Sequence, residues 1–570
     1  MASLAGWMVS MPMVWAQDKP ASPASDASEP FENSSLNGET ALLILLAEMQ
    51  LNRGDFGAAY SMMFEAAKKT GDEGLYKRAV DIALSARNGN LALDAARQWK
   101  KASPTSRTAN LHVLQILVAL NQLPESLMPL RAYVQLAPES EQVLLINGMP
   151  QIFAQAKDPE LAAAVVEQAL QPFVDKPLTA AASWTAIGRM QVSAKKPSQA
   201  LASVKKALAR QPDAMEPGFL ALELYAAGIA EAEDLLKTVL TDKSPPHLRL
   251  SYARALIDNQ RIALAKSQLQ ALNQSHPDFA DAWLLMGALT MEQVQYDEAK
   301  TALLRFIEIE KTKEDGRLSQ AYLMLSQIAT KEKKPADAEA WLNKIEDPEA
   351  ATQVQVERAN VLASRGDIAK ARALLAQLPD NTPQAKRAKL QAELKLLRDH
   401  KLFQAAYELL RKAADTEPED LDLRYELAMM AEKINRIDEM EKLLRSVIAE
   451  RPSFEHAYNA LGYALADRNI RLKEARELIV QALDLAPEDP MITDSLGWVE
   501  FRMGNKQSAL AILQRAYETK NDVEIGTHLG EVLWSLGQKD KAIRIWREVA
   551  KQDARNELLV ETLKRLKVKL

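Results

Sequence analysis

Residue types that carry catalysis occur in this chain of 570 residues, but none has the spacing that a known catalytic motif requires. The six histidines are scattered, with no His-Glu-x-x-His spacing, and no cysteine is present to complete a zinc site or to act as a nucleophile. A Gly-x-x-x-x-Gly-Lys phosphate loop and a Gly-x-Ser-x-Gly elbow are absent from the sequence as well. The sequence therefore predicts a protein that is not an enzyme and that needs no metal or cofactor.

The residues that do recur with a fixed spacing are small or apolar, and they belong to a repeat. Leu496-Gly497 returns as Leu529-Gly530, thirty-three residues later, and Gly504 and Ala509 return in the same register as Gly537 and Ala542. A period in the low thirties is typical of arrays of helix–turn–helix units, in which each repeat packs on its neighbours.

The repeat resembles that of the tetratricopeptide (TPR) family, which has small residues at positions 8 and 20 and proline at 32. The fifth repeat fits in full, with the residues Trp184, Ile187, Gly188, Ala200, Val204, Ala207 and Pro212. The resemblance implies an all-α, right-handed α-solenoid of about fifteen helical hairpins with a capping helix at 553–570. We predict an N-terminal array at 39–245, divergent near 143–175 and 214–245, and a C-terminal array at 246–552.

Composition and the N-terminal residues bear on partners and location. The net charge of −6 is small for this length and gives no electrostatic footprint for nucleic acid, so we expect no nucleic-acid partner. Residues 1–16 are apolar and end in Val-Trp-Ala, which predicts a secretory signal peptide, although no Lys or Arg precedes the apolar run. Residues 17–38, rich in Pro, Ala and Ser, are predicted to be a disordered linker. No stretch has the length of a transmembrane helix.

If the TPR resemblance holds, positions 2, 5, 9 and 12 of each first helix line a concave groove. In repeats 12 to 14 these positions hold large amphipathic side chains, which are enriched among interface hot spots, and an amide that can both donate and accept. We predict that the partner-binding groove contains Tyr425, Asn459, Tyr463, Asp494 and Trp498. Within it, Tyr463 and Trp498 are expected to be exposed, whereas Phe501 and Trp534 are expected to pack between repeats.

One groove chemistry of the TPR family is tested directly by the sequence. TPR domains that clamp a carboxyl-terminal carboxylate need Lys, Asn and Arg at defined positions. Repeats 13 to 15 place there Asn459, Tyr463, Ser495, Glu524 and His528. Because most of these residues do not match and Glu524 would repel a carboxylate, the sequence argues against a receptor of that kind.

The resemblance also suggests a cellular role. The stretches Leu496–Trp498 and Leu529–Gly537 look like those of large bacterial envelope TPR proteins. Some of these are outer-membrane lipoproteins that deliver substrates to a periplasmic carboxyl-terminal processing protease. This chain departs from them in having no lipobox cysteine. The expected function is a protein-binding scaffold or adaptor in the periplasm or cell envelope, peripherally associated with it; the alternative is a cytoplasmic TPR regulatory or assembly factor.

Overall fold

The computed structural model describes residues 37–212, 214–241, 244–313 and 317–570. These residues form thirty-one α-helices and no β-strand. In chain order the helices form fifteen consecutive pairs of a first helix A and a second helix B, most of them packed as hairpins, and a last unpaired helix follows. The all-α solenoid of fifteen hairpins predicted from the repeat is thus confirmed. The predicted signal peptide at 1–16, and the predicted linker as far as residue 36, lie outside the described residues.

The chain divides into two compact units, Met1–Met286 and Gly287–Leu570. The first contains α1 Gly38–Asn52, α2 Phe56–Thr70, α3 Glu73–Ser85, α4 Gly89–Ala102, α5 Arg107–Ala119, α6 Leu127–Gln135, α7 Glu139–Ile152, α8 Pro159–Leu170, α9 Ala180–Ser193, α10 Pro197–Arg210, α11 Met215–Ala226, α12 Ala232–Val239, α13 Pro246–Asp258 and α14 Ile262–Ser275. The next helix, α15 Ala280–Glu292, contains the division between the units. The domain division that we expected at 245/246 stays a prediction.

The second unit continues with the same hairpin pattern and ends in the helix that has no partner. Its helices are α16 Tyr296–Glu310, α17 Leu318–Lys331, α18 Pro335–Leu342, α19 Ala351–Ser364, α20 Ile368–Leu375, α21 Pro383–Asp399, α22 Phe403–Thr416, α23 Leu421–Lys433, α24 Ile437–Glu450, α25 Glu455–Asp467, α26 Leu472–Leu485, α27 Pro490–Arg502, α28 Lys506–Thr519, α29 Val523–Ser535, α30 Lys539–Asp553 and α31 Glu557–Leu566. The helix predicted at 553–570 as a cap is α31, which is shorter at both ends.

The crossing of helices A and B explains why small residues recur at position 8. A Cβ atom added to Gly497 would lie 2.6 Å from Cγ of Leu513, and one added to Gly462 would lie 2.6 Å from Cγ1 of Ile479. Neither distance leaves room for a methyl group, so glycine lets the two helices of a hairpin approach closely. The alanines at position 20, such as Ala475, are fully buried on the other side of the crossing.

The turn between helices A and B holds a residue with a left-handed backbone in most hairpins. Gly504 and Gly537 adopt φ values of 94° and 79°, which glycine tolerates without a steric penalty. Other hairpins place an ordinary residue there, and in one of them it is the β-branched Val294, with φ of 60°. Such a residue is strained in this conformation. The hairpin turn is therefore fixed by packing of the helices and not by glycine alone.

The two hairpins that the sequence marks as divergent keep two helices each. In the fourth hairpin, α7 contains Pro150 close to its end. In the sixth, helix B is α12, with only eight residues, and it buries Ala232, Leu236 and Val239. The sixth repeat still packs as a hairpin, whereas α7 and α8 of the fourth repeat pack mainly on α9 and make little contact with each other.

Candidate protein-binding surface

Three consecutive A helices, α23, α25 and α27, carry the residues predicted to bind a partner. We call the set formed by Tyr425, Asn459, Tyr463, Asp494 and Trp498 the A-helix surface. Tyr425 lies on α23, Asn459 and Tyr463 lie one turn apart on α25, and Asp494 and Trp498 lie one turn apart on α27. Residues four apart share a face of a helix, so each pair is presented together.

His528 on α29 brings three of these residues together. Its Nδ1 lies 3.0 and 2.9 Å from the two carboxylate oxygens of Asp494. Its Nε2 lies 3.4 Å from the hydroxyl of Tyr463, and its ring stacks on Trp498 with a centroid distance of 4.2 Å and an interplanar angle of 22°. One imidazole therefore contacts the A helices of both preceding repeats.

Burial corrects part of the prediction for this surface. Trp498 was expected to be exposed, but only 3% of its surface is accessible, and Asp494 is equally buried. The reason is the imidazole of His528, which covers the indole face and binds the carboxylate. Tyr463, Asn459 and Tyr425 remain half-buried and have surface available for contact. Trp498 and Asp494 thus form the base of the surface, and the other three residues form its accessible part.

The surroundings of the buried Asp494–His528 pair favour the protonated form of His528. Burial by itself would lower the pKa of His528, but the charge of Asp494 and the hydrogen bond to it act in the opposite direction. Together with the more distant carboxylates of Glu531 and Glu524 they raise the pKa of His528 above its ordinary value. The protonated imidazole is therefore favoured in the folded protein.

Tyr463 lies in an acidic neighbourhood. Its burial raises the pKa of the phenol well above the ordinary value, and the charges of Asp467, Asp494, Glu524 and Glu432 raise it further. The phenol is therefore protonated at every physiological pH and serves as a hydrogen-bond donor or acceptor, not as an acid. Glu524 is exposed beside it, so the accessible part of the surface carries negative charge.

Two polar atoms at this surface have no hydrogen-bond partner within the described part of the chain. They are Oδ1 of Asn459, an acceptor, and Nε1 of Trp498, a donor, and both atoms are buried. Leaving such a group unsatisfied costs about 1–3 kcal/mol, so each atom would gain from a hydrogen bond. Both atoms are closed to solvent, so a partner from outside the array reaches them only when neighbouring side chains move. One needs a donor and the other an acceptor, which is the pair of groups that each peptide unit offers.

The aromatic side chains at the edges of the surface pack within and between repeats. Tyr425 meets Phe454 edge to face at a centroid distance of 5.2 Å, and burial raises the pKa of its hydroxyl. The ring centroids of Phe501 and Trp498 are 5.4 Å apart, and those of Trp534 and Trp546 are 5.8 Å apart. Phe501 and Trp534 are both half-buried among the core residues of the last hairpins. The packing expected for these two residues agrees with these contacts.

The pairing of Asp494 with His528 was missed by the sequence analysis, although the spacing contains a signal for it. The two residues are 34 positions apart, close to one repeat length, and ion pairs with nearly the same spacing join other successive A helices. These are Arg387–Asp420 at 2.6 Å, Arg468–Glu432 at 3.1 Å and, between α29 and the capping helix, Arg565–Glu531 at 2.6 Å. A search for complementary polar residues one repeat apart would have found His528.

Known proteins agree with this geometry. A curated protein of Pseudomonas aeruginosa, named TPR repeat-containing protein PA4667, is 35% identical over 211 residues, which is 37% of this chain. Over these residues the chain is similar to a tetratricopeptide repeat protein. The aligned part spans 36% of the length of that relative. No family model matches the chain.

Two solved structures are also similar to the TPR array. A chain of the APC/C hetero-tetramer Cut9–Hcn1 is 13% identical, with a TM-score of 0.30, and the match covers 93% of this chain and 96% of that one. TTC0263, a thermophilic TPR protein of Thermus thermophilus, is 22% identical, with a TM-score of 0.29, and the match covers 31% of this chain and all of that one.

Other features of the TPR array do not compete with the A-helix surface as a site. A cleft of about 710 Å³ lies at the turn between α27 and α28 and is lined by Arg476, Glu500, Gly504, Asn505, Lys506, Gln507 and Ser508. Among the described residues, no group of three or more His, Asp or Glu side chains is arranged to hold a metal ion. No described helix combines the length and apolar character needed to cross a membrane.

Proposed function

We propose that this TPR protein is an interaction scaffold that binds an extended segment of a partner protein along the A-helix surface of repeats 12 to 15. The observation that carries the proposal is the convergence of Tyr463, Asp494 and Trp498 around His528. Trp498 adds an unsatisfied donor, and Asn459, one turn before Tyr463 on α25, adds an unsatisfied acceptor. TPR arrays are in general scaffolds that hold other proteins, which is the coarse function that the fold itself implies.

The buried and the accessible residues of this surface would have different roles in binding. Because Asp494 and Trp498 are buried against His528, they are held in one conformation before a partner arrives, and this lowers the ordering cost of binding. Tyr425, Asn459 and Tyr463 remain accessible and would make the direct contacts. An extended segment could stack a side chain against Tyr463. It could also donate a backbone N–H to Oδ1 of Asn459 once a side-chain movement opens that buried atom.

The test is site-specific crosslinking in living cells. A photoreactive residue replaces Asn459 on the A-helix surface, and the control carries the same residue at Glu477, which is exposed on helix B of the same hairpin. A partner that binds as proposed is captured through position 459 and not through position 477, and Tyr463→Ala removes the capture. Equal capture at both positions would refute the assignment of the surface.

We also propose that the protein works in the bacterial cell envelope and presents bound proteins to a periplasmic protease. The apolar stretch at 1–16, which ends in a signal-peptidase pattern, supports export, and the resemblance of the last repeats to envelope adaptors supports delivery. Amino-terminal sequencing of the mature protein tests the first point. A mature chain that begins at Gln17 is expected, and a chain that retains Met1 would favour the cytoplasmic alternative.

Delivery to a protease predicts a change in protein turnover. Removal of the scaffold should lengthen the half-life of the protein that crosslinks at position 459, while leaving unrelated envelope proteins unchanged. If the crosslinked partner has the same half-life with and without the scaffold, the scaffold binds that partner but does not deliver it for degradation.

A further inference from the structure

The first helix of the array, α1, is apolar on two opposite faces. Its inner face buries Thr40 and Ala47 and packs Ile44 and Leu51 against the core of the first hairpins. Its outer face carries three large apolar side chains, of which 55%, 62% and 44% of the surface is accessible: Leu42, Leu45 and Met49. These residues are spaced i, i+3 and i+7, so they form one stripe along the helix. No element among the described residues covers the stripe.

The opposite end of the array shows what a covered end looks like. The last helix, α31, buries Leu559 and Thr562 against the preceding hairpin and exposes Glu561 and Lys564 to solvent. Val560 is its one strongly exposed apolar residue, so α31 has no apolar stripe like that of α1. Solenoids need a terminal repeat with a polar outer face, because an apolar one would be left in water. By this criterion the end at α31 is closed, and the end at α1 presents a surface that favours a further partner.

The outer faces of two copies of α1 are complementary when the two helices run antiparallel. Leu42 and Met49 lie on either side of Leu45, near the middle of the stripe. The charged residues Glu39 and Arg53 lie beyond its two ends, on the same flank of the helix. Two antiparallel copies would place each Leu42 against the partner's Met49 and each Glu39 beside the partner's Arg53. A twofold interface requires this kind of reciprocal pairing.

We propose that α1 is a homodimer interface, in which the outer faces of two copies of this chain pack antiparallel about Leu45. The charge pattern favours a second copy over an unrelated partner, because Glu39 and Arg53 match only when the helix meets its own reversed sequence. Glu39 also forms an ion pair with Lys69 of its own chain, which holds it at the edge of the stripe. A contact between two single helices lies below the about 1,200 Å² of a stable interface, so the dimer is expected to dissociate on dilution.

The absence of cysteine from the sequence makes a direct crosslinking test possible. In Leu45→Cys, the two introduced thiols meet near the dimer axis, and mild oxidation should convert most of the chain to a disulfide-linked dimer. The matched control is Leu144→Cys, since Leu144 is also an exposed leucine, with 73% of its surface accessible, on α7. Equal crosslinking of both variants would mean that the thiols react by collision, and the proposal would fail.

Sedimentation velocity over a range of concentrations tests the interface without a crosslink. The full chain and the chain beginning at Gln17 should both change from monomer to dimer. Leu45→Glu should weaken association by on the order of tenfold or more, whereas Leu144→Glu should leave it unchanged. Both leucines are exposed, so both variants should fold, and circular dichroism checks that they do.

Charge reversal tests the antiparallel register. Arg53→Glu should weaken the dimer by placing two carboxylates side by side, and the double variant with Glu39→Arg should restore it. A failure to restore would overturn the register. Two further outcomes would overturn the proposal itself: a monomer at all concentrations, or a dimer that forms only when residues 1–16 are removed, which would make those residues the occupant of the stripe.

Discussion

The helix crossing in the thirteenth hairpin allows a sharp test of why glycine occupies position 8. In Gly462→Ala, the new Cβ would lie 2.6 Å from Cγ1 of Ile479 and 2.9 Å from the carbonyl oxygen of Ala475. The isoleucine side chain has some freedom to move. The carbonyl is part of the backbone of α26, so the methyl group forces α25 and α26 apart.

The expected magnitude is a difference between two opposing effects. Alanine is favoured over glycine inside a helix by about 1 kcal/mol, and overpacking a well-filled site costs about 1–3 kcal/mol. Gly462→Ala should therefore destabilise its hairpin by up to about 2 kcal/mol. Gly148→Ala is the matched control, because Gly148 is exposed within α7 and a Cβ there would meet nothing within 4 Å. It should stabilise α7 by about 0.5–1 kcal/mol.

Amide hydrogen exchange is the suitable assay, because repeat arrays open in segments and a single melting temperature does not describe them. Protection in α25 and α26 should fall in Gly462→Ala, and protection in α7 should rise in Gly148→Ala. If Gly462→Ala increased protection as much as the control does, the crossing would have room for a methyl group. The packing explanation of position 8 would then be wrong.

Three further predictions follow from the same structure. Gly497→Leu should lower stability by about 1–3 kcal/mol or more, whereas Lys506→Ala on the exposed turn should change it by less than about 0.5 kcal/mol; denaturant titration of both variants compares them. Val294→Gly should stabilise its hairpin by about 0.5–1 kcal/mol, because it relieves a left-handed β-branched residue, and unchanged or lower exchange protection in α15 and α16 would contradict this. Because the pKa of His528 is raised, its protonation should stabilise the last repeats fully below about pH 6.5, the ordinary value, and this stabilisation should be lost as the pH rises through the folded-state pKa. The pH dependence of stability should disappear in His528→Gln. Its persistence in that variant would assign the pH dependence to another group.

Most of the fold could be predicted from the sequence, because each repeat specifies its own hairpin. Glycine at positions such as Gly497 is readable from the period alone, since only a small residue fits the crossing. Turn positions are less regular, and the left-handed Val294 shows that a hairpin can form without the expected glycine. The division between compact units was not readable, because it lies inside α15, where the repeat pattern continues without interruption.

The A-helix surface could be predicted only in part. The positions on each helix follow from the repeat, and so Tyr463 and Asp494 were identified. Their exposure depends on residues supplied by the next repeats, and the stacking of His528 on Trp498 is what buries the indole. A single repeat does not contain that information, because it depends on how closely successive A helices approach one another.

The contact between Tyr463 and His528 indicates which side of the last repeats is concave. The two residues belong to repeats 13 and 15, yet their rings lie 6.0 Å apart, across the A helix of repeat 14. In a solenoid each repeat is expected to contact only its neighbours. Side chains from repeats 13 and 15 meet where the intervening helix leaves space, so we expect this side of the A helices to be the concave one. His528 itself is buried, so a partner bound there would act on it through Tyr463, whose hydroxyl lies 3.4 Å from Nε2 of the imidazole. Partner binding and the protonation of His528 are therefore expected to influence each other.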